Sequence, residues 1–396
     1  MNSHSYPTHS FDEIIRSIFG DRVLKDREGS RRTTPITSAL LNENEKTFKK
    51  NLVARLKRLH SHYSDHPCLP ELVVLVRNLA NLSLWQGAFA ELVALDYFNY
   101  PLLDHASFLY TPVFINPDTR PFCLLGMEPG AGNGSTLDGE FRDHGVCYDA
   151  KVLLDTRSDI LASLHARVKS QFPDRYLSIV SEFQPDRHPR DLGKHVETIE
   201  VELIEAICKE PGIRYLRSRV VTGLEHWLSW EPGWQLTGYS YSSYRHAMEF
   251  YREVFKDCRQ FTTDRPFVLV YVIFPKYNAV VTDFRNMNAE FFRAVARRAF
   301  MAHRADTRPV SSLFSHSEKP KRLPQATIAK ASRALSAILF LEDVTTTLSD
   351  ENKSNAIGYL YSNPNAEWKL TRPRFWDYAV CDLKLNVNDT LEYDNY

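Results

Sequence analysis

The stretch from Thr136 to Leu153 constrains this chain most. Two runs of strand-forming residues, Thr136–Phe141 and Val146–Leu153, are joined by a short polar turn at Asp143–Gly145, which reads as a β-hairpin. Strand side chains alternate between faces, so Asp149 and Lys151 fall on one face while Tyr148, Ala150 and Val152 take the other. Asp138, in the first run, comes near Asp149 across a hairpin of this length. Two carboxylates and an ammonium then converge on an otherwise apolar sheet. Neighbouring carboxylates repel each other and must either share a proton or bind a cation.

The flanking pattern gives these residues a setting. Leu52, Leu56 and Leu59 recur at helical spacing, a second helical run covers Leu69–Leu84 with Pro70 at its start, and a third spans Leu84–Tyr97. In that third run Glu91 has Gly87, Ala88, Ala94 and Leu95 as its helix-face neighbours. A lone carboxylate on a small, apolar face is costly to bury unless a positive group meets it. Strand-like runs at Phe108–Ile115 and Phe122–Met127 precede the hairpin, a helix at Thr156–Phe172 follows it, and Tyr176–Phe183 reads as the next strand. The resulting order is helix, three strands, helix, strand.

Asp138-x10-Asp149-x-Lys151 in a hairpin, behind a helix carrying Glu91, resembles the PD-(D/E)xK, restriction-endonuclease-like superfamily. The resemblance covers roughly Leu84–Phe183. It implies phosphodiester hydrolysis with Mg²⁺ or Mn²⁺, held by Asp138 and Asp149 with Glu91 assisting directly or through water. Lys151 would orient or deprotonate the attacking water and neutralise charge on the phosphorane. Hard divalent cations prefer such oxygen ligands and keep several waters, and a cation so held activates water near neutral pH. Leu137 stands where the signature proline would be. The glutamine–tyrosine motif of the exonuclease branch is not matched, because Pro173 separates Gln171 from Tyr176. The resemblance implies DNA ahead of RNA as substrate, an endonuclease in bacterial restriction or phage defence, and a homodimer or partner protein as assembly. The alternative is a catalytically inactive module that keeps the fold and only binds nucleic acid.

The expected architecture is α/β: a restriction-endonuclease-like core with helical N-terminal and mixed C-terminal additions. Residues 1–36 read as a flexible arm with a short amphipathic helix around Phe11–Phe19. Residues 37–100 supply N-terminal helices, 101–280 the nuclease core and its sheet extension, and 281–396 a C-terminal α/β addition with a basic loop. Beyond the core, helices read at His195–Lys209 and Met287–His303. Strands read at Ile213–Val221, Ala337–Leu341 and Ala356–Tyr361, and Pro266–Pro275 is a near-continuous apolar run typical of a strand buried on both faces.

Lys+Arg and Asp+Glu are both 49, so the chain lacks the basic excess common among nucleic-acid binders. Contact with the nucleic-acid backbone or bases then falls to local groups: Tyr241, Tyr244 and Arg245 in one aromatic stretch, and Lys319, Lys321 and Arg322 in the basic loop. His60, His62 and His66 have metal-ligand chemistry but read as the end of a surface helix, and the glycine loop Gly130–Ser135 lacks the GK[ST] of a phosphate loop. The six cysteines form no CxxC pair, which argues against a zinc ribbon or a secreted disulfide framework. With no apolar run of ~18 residues to span a membrane, the expectation is a cytoplasmic protein.

Overall fold

The computed structural model describes residues 7–20, 34–42, 45–81, 83–100, 113–115, 123–125, 137–141, 145–153, 156–173, 176–183, 189–209, 212, 214–230, 243–274, 288–302, 307–314, 326–344 and 354–370. The chain divides into two compact units, one built from Met1–Leu153, Tyr251–Tyr277 and Val295–Thr390, the other from Leu154–Phe250, Asn278–Ala294 and Leu391–Tyr396.

The first unit opens with five helices: α1 (Pro7–Phe19), α2 (Pro35–Leu41), α3 (Lys46–Tyr63), α4 (Leu69–Asn78) and α5 (Trp85–Asn99). The N-terminal segment is less of a loose arm than its polar sequence suggests. Phe11 and Ile15 of α1 and Ile36 of α2 are buried, because the amphipathic face of α1 packs into the same core as α3–α5. Helix α5 is apolar almost all round and is correspondingly buried, apart from a strip through Gln86, Gly87 and Glu91.

Its sheet has six strands in the order β1-β2-β3-β7-β8-β9. They are β1 (Val113–Ile115), β2 (Gly139–Phe141), β3 (Val146–Val152), β7 (Phe267–Ile273), β8 (Ala337–Asp343) and β9 (Ala356–Ser362). The centre is parallel, β3 with β7 and β7 with β8, while β1-β2-β3 and β8-β9 are antiparallel. Every residue of β7 is buried, as its continuous apolar sequence requires of a central parallel strand. Val146, Tyr148 and Ala150 of β3 join Val268, Val270 and Val272 of β7 in one core with α5 and the other N-terminal helices.

A buried ion cluster ties these helices to the sheet. Arg55 of α3 reaches Asp96 of α5 at 3.2 Å and Asp343 of β8 at 2.7 Å, and Arg58 adds a 2.7 Å contact to Asp96. Two guanidinium groups against two carboxylates leave the cluster neutral, the condition under which buried charge is tolerated.

In the second unit, α6 (Thr156–Ser170) and α7 (Pro189–Lys209) share a core with a three-stranded antiparallel sheet. Its strands are β4 (Ser178–Phe183), β5 (Arg214–Arg217) and β6 (Leu224–Ser229), in the order β4-β6-β5. Helices α8 (Ser243–Val254) and α9 (Asn288–Met301) each run from this unit into residues of the first. Helix α10 (Ile328–Ala334), capped by Thr327, completes the first unit.

The element order therefore needs one substantive correction. The strand expected at Tyr176–Phe183 forms, but it pairs with β6 in the smaller sheet. The strand that continues the hairpin sheet is β7, parallel to β3 and reached only after the segment 154–250. The half-buried alternation of β4 suits an antiparallel sheet with one open face, whereas β7 has the apolar continuity that a central place demands.

Smaller differences follow from short pairing. Asp138 lies in the bend just before β2, not within it. Of the strand read at Phe122–Met127 only residues 123–125 are described, and there Leu124 makes an isolated bridge to Thr262. In the polar, basic stretch Arg304–Gln325, which reads as a linker, Val310–Phe314 forms a 3-10 turn with Val310 buried.

Candidate active site

The placement of Asp138 follows from backbone hydrogen bonding. In the parallel pairing, the N–H groups of Cys147 and Leu153 donate to Pro266 and Val272 of the β7 side, so odd-numbered amides of β3 face β7 and even-numbered ones face β2. Strand β2 pairs Gly139 with Tyr148 and then stops. The next even amide, Ala150, would be left without a strand acceptor. The Asp138 carboxylate takes its place, accepting the Ala150 N–H at 2.6 Å. One more step of the register sets Asp138 opposite Asp149.

Gly139 makes that step possible. A Cβ at this position would collide with the ring and hydroxyl of Tyr148. Without one, the Tyr148 ring lies over the Gly139 backbone, wedged against Phe98 at 4.8 Å and Phe141 at 5.9 Å between ring centroids.

Asp149 is 1% exposed, and Lys151 Nζ stands 2.8 Å from its Oδ2. The parallel register sets Asp149 beside Leu269 and Lys151 beside Tyr271, an apolar wall that strips water from the pair. The lysine side chain is 30% exposed, so solvent reaches the lysine side of the pair and not Asp149. Asp149 Oδ1 is buried and accepts no N–H or hydroxyl hydrogen bond among the described residues, while its carboxyl lies within hydrogen-bond reach of the Asp138 carboxyl. Such an oxygen calls for a cation or a proton.

The electrostatics agree with the geometry. Burial, with Asp149 nearby, pushes the Glu91 carboxyl up to about 7 against the pull of Lys151. Asp138 is pushed up to about 6, first by burial and then by Glu91. Burial and then Asp138 hold Asp149 well above the usual carboxylate range. Burial disfavours the Lys151 ammonium, yet Asp149 and Asp138, with Asp257 adding to them, hold it above its ordinary value. Three carboxyls, each held above its ordinary value, thus lie within electrostatic reach of one ammonium. Glu91 and Lys151 were linked in the sequence only by the cost of burying a lone carboxylate, and here they stand within electrostatic reach.

Among the described residues no three His, Cys, Asp or Glu side chains form a ready-made metal cage. The donor set still fits a hard divalent cation: two aspartates, one with an unsatisfied buried oxygen, leave the remaining positions to main-chain carbonyls and water.

The histidine candidates are engaged elsewhere. His60 packs on Phe19 at 4.9 Å, His62 and His66 both lie edge-on to Tyr63, and His66 Nδ1 accepts the Cys68 N–H. Tyr241, Lys319, Lys321, Arg322 and the loop Gly130–Ser135 lie outside the described residues, as do the side chains of Tyr244 and Arg245. Two residues escaped the sequence reading. Asp257, just beyond α8, is near enough to Lys151 to stabilise its charge, and nothing in the sequence signals it. Tyr148 is adjacent to Asp149 and buried, and a tyrosine on the core face of β3 was the available signal. No protein-family model, curated protein or solved structure matches the chain.

Proposed function

We propose that this chain is a divalent-metal-dependent nuclease with a restriction-endonuclease-like core in its first unit. The observation that carries the reading is the meeting of Asp138, Asp149 and Lys151 at the end of the β2–β3 hairpin, backed by Glu91 from α5. What supports such a core is that α5 shares a hydrophobic core with β3 and that β7 lies parallel beside β3 in the same sheet.

In this reading Asp138 and Asp149 hold the cation, and Glu91 steadies the inner ligands through water. A cation bound there supplies Lewis acidity toward a phosphoryl oxygen and an activated water. Lys151, kept charged by its aspartate neighbours, orients the nucleophile and neutralises charge growing on the phosphorane, rather than acting as a base. Its exposed end is where a phosphodiester would enter. DNA is the proposed substrate, in a restriction or defence role, and the second unit is free to carry recognition.

The test is cleavage by the full chain of plasmid DNA, single-stranded DNA and RNA with Mg²⁺ or Mn²⁺ and with EDTA. Metal-dependent cutting of DNA is the expected result. Cutting of RNA alone would correct the substrate, and metal-dependent binding of nucleic acid without cutting would favour the inactive binding module.

A further inference from the structure

The three-stranded sheet of the second unit has two unlike faces. Ile179, Phe183, Leu224 and Leu228 belong to the hydrophobic core shared with α6 and α7. Side chains alternate along a strand, so the residues between these point the opposite way. The register sets them in two cross-strand rows, Val180, Trp227 and Tyr215 in one and Glu182, Glu225 and Arg217 in the next.

The β5 side of this outer face shows how a guanidinium sits on it. Arg217 lies over the Tyr215 ring, 5.6 Å from its centroid. Its Nε donates to the Tyr215 hydroxyl at 2.6 Å and to Glu225 Oε1, across the strand pair, at 3.1 Å. Guanidinium groups stack on aromatic faces and fork onto carboxylates, so ring and carboxylate suit the same ion.

One strand over, the same parts recur. Trp227 supplies a ring, 5.5 Å from that of Tyr215. Glu182 supplies a carboxylate, diagonal to Trp227 across the β4–β6 pair and within reach of a long side chain. The place that corresponds to Arg217 is held by Glu225, directly opposite Glu182. Like charges directly opposite one another weaken a sheet. Glu225 is paired with Arg217, whereas exposed Glu182 has no cationic partner among the described residues. Tyr215 is 48% exposed. The face thus presents aromatic surface beside an excess of negative charge. That is complementary to a flat cation, and opposite to the positive charge a nucleic-acid backbone requires.

We propose that the outer face of the β4-β6-β5 sheet is a docking surface for a partner protein, whose basic segment places an arginine over Trp227 between Glu182 and Glu225. Binding there is independent of the nuclease reading.

The experiment titrates a short fluorescent peptide of alternating arginine and glycine with the full chain in EDTA, and follows its anisotropy. Wild type, Glu182→Gln and Trp227→Leu are compared. Saturable binding by wild type is expected, weakened about threefold by either substitution, the scale of one exposed ion pair or cation–π contact, and weakened further by salt. Glu182 is exposed, so Glu182→Gln keeps the fold and decides the matter if loss of the half-buried Trp227 ring unfolds the unit. No saturable binding by wild type, or equal binding by wild type and Glu182→Gln, would overturn the proposal. An oligothymidylate whose affinity falls in a folded Trp227→Leu would also overturn it, because the face would then serve nucleic acid.

Discussion

Glu91 offers a way to read the site's charge without any assay of activity. An ordinary glutamate titrates near 4.5, and in the folded protein this one is pushed up to about 7 by burial and by Asp149. Its folded value is raised, so its contribution to stability is complete below the unfolded value and is lost as pH rises through 4.5 to 7. Ionising it in place costs roughly 3 kcal/mol, which solvent access along its strip of α5 reduces to ~2 kcal/mol. Glu91→Gln removes that cost. In EDTA the variant should be more stable than wild type by about 1–2 kcal/mol at pH 8, the amide's own desolvation taking part of the gain. Near pH 4.5 the advantage should vanish. Urea denaturation of both proteins at the two pH values measures the difference, and comparing them cancels titrations elsewhere in the chain. With Mg²⁺ present the order should narrow or reverse, because wild type gains more from binding. A stability difference independent of pH would refute the reasoning.

Three further expectations concern the framework. Gly139→Ala should destabilise by about 1–3 kcal/mol by forcing a methyl group into the Tyr148 ring, and pairing it with Tyr148→Ala should recover much of that loss in a double-mutant cycle read by denaturation. Arg55→Met leaves Asp343 buried without its 2.7 Å partner, and should cost roughly 3–5 kcal/mol in the same measurement. In the second unit, His165 Nε2 and His226 Nδ1 both engage Ser181 Oγ, at 2.7 and 2.6 Å. Burial holds both imidazoles down to about 4, with Lys169 and His165 respectively adding to it. Folded values this low mean stability that is present above pH 6.5 and is lost as pH falls toward 4, and NMR titration should show both rings neutral at pH 5.5, whereas midpoints near 6.5 would contradict the burial argument.

The hairpin was legible because its signal is local: alternation fixed which side chains share a face, and a short turn fixed which residues meet. Glu91 was legible for a related reason, a carboxylate on a helix with no polar face to put it on. The fourth core strand was misplaced because element order is not adjacency. A strand followed the helix after β3, and nothing local says that it pairs elsewhere. The discriminating signal was composition within the strand. Phe267–Ile273 is apolar on both faces and belongs at a sheet centre, while Ser178–Phe183 alternates and suits an open-faced antiparallel sheet. Strand β6 overlaps an aromatic-rich stretch, and α10 falls between the basic loop and the strand read at Ala337–Leu341, although Thr327 supplies a recognisable cap. Asp257 reaches Lys151 only through the tertiary fold and leaves no trace in sequence.

The central claim, that Asp138, Asp149 and Lys151 form the centre of a metal-dependent nuclease, is tested most directly by one comparison. Wild type, Asp149→Ala and Lys151→Ala are incubated with plasmid DNA and Mg²⁺ after circular dichroism confirms that all three are folded. Wild type should cut and neither variant should. Cutting that survives both substitutions would place the chemistry elsewhere in the chain.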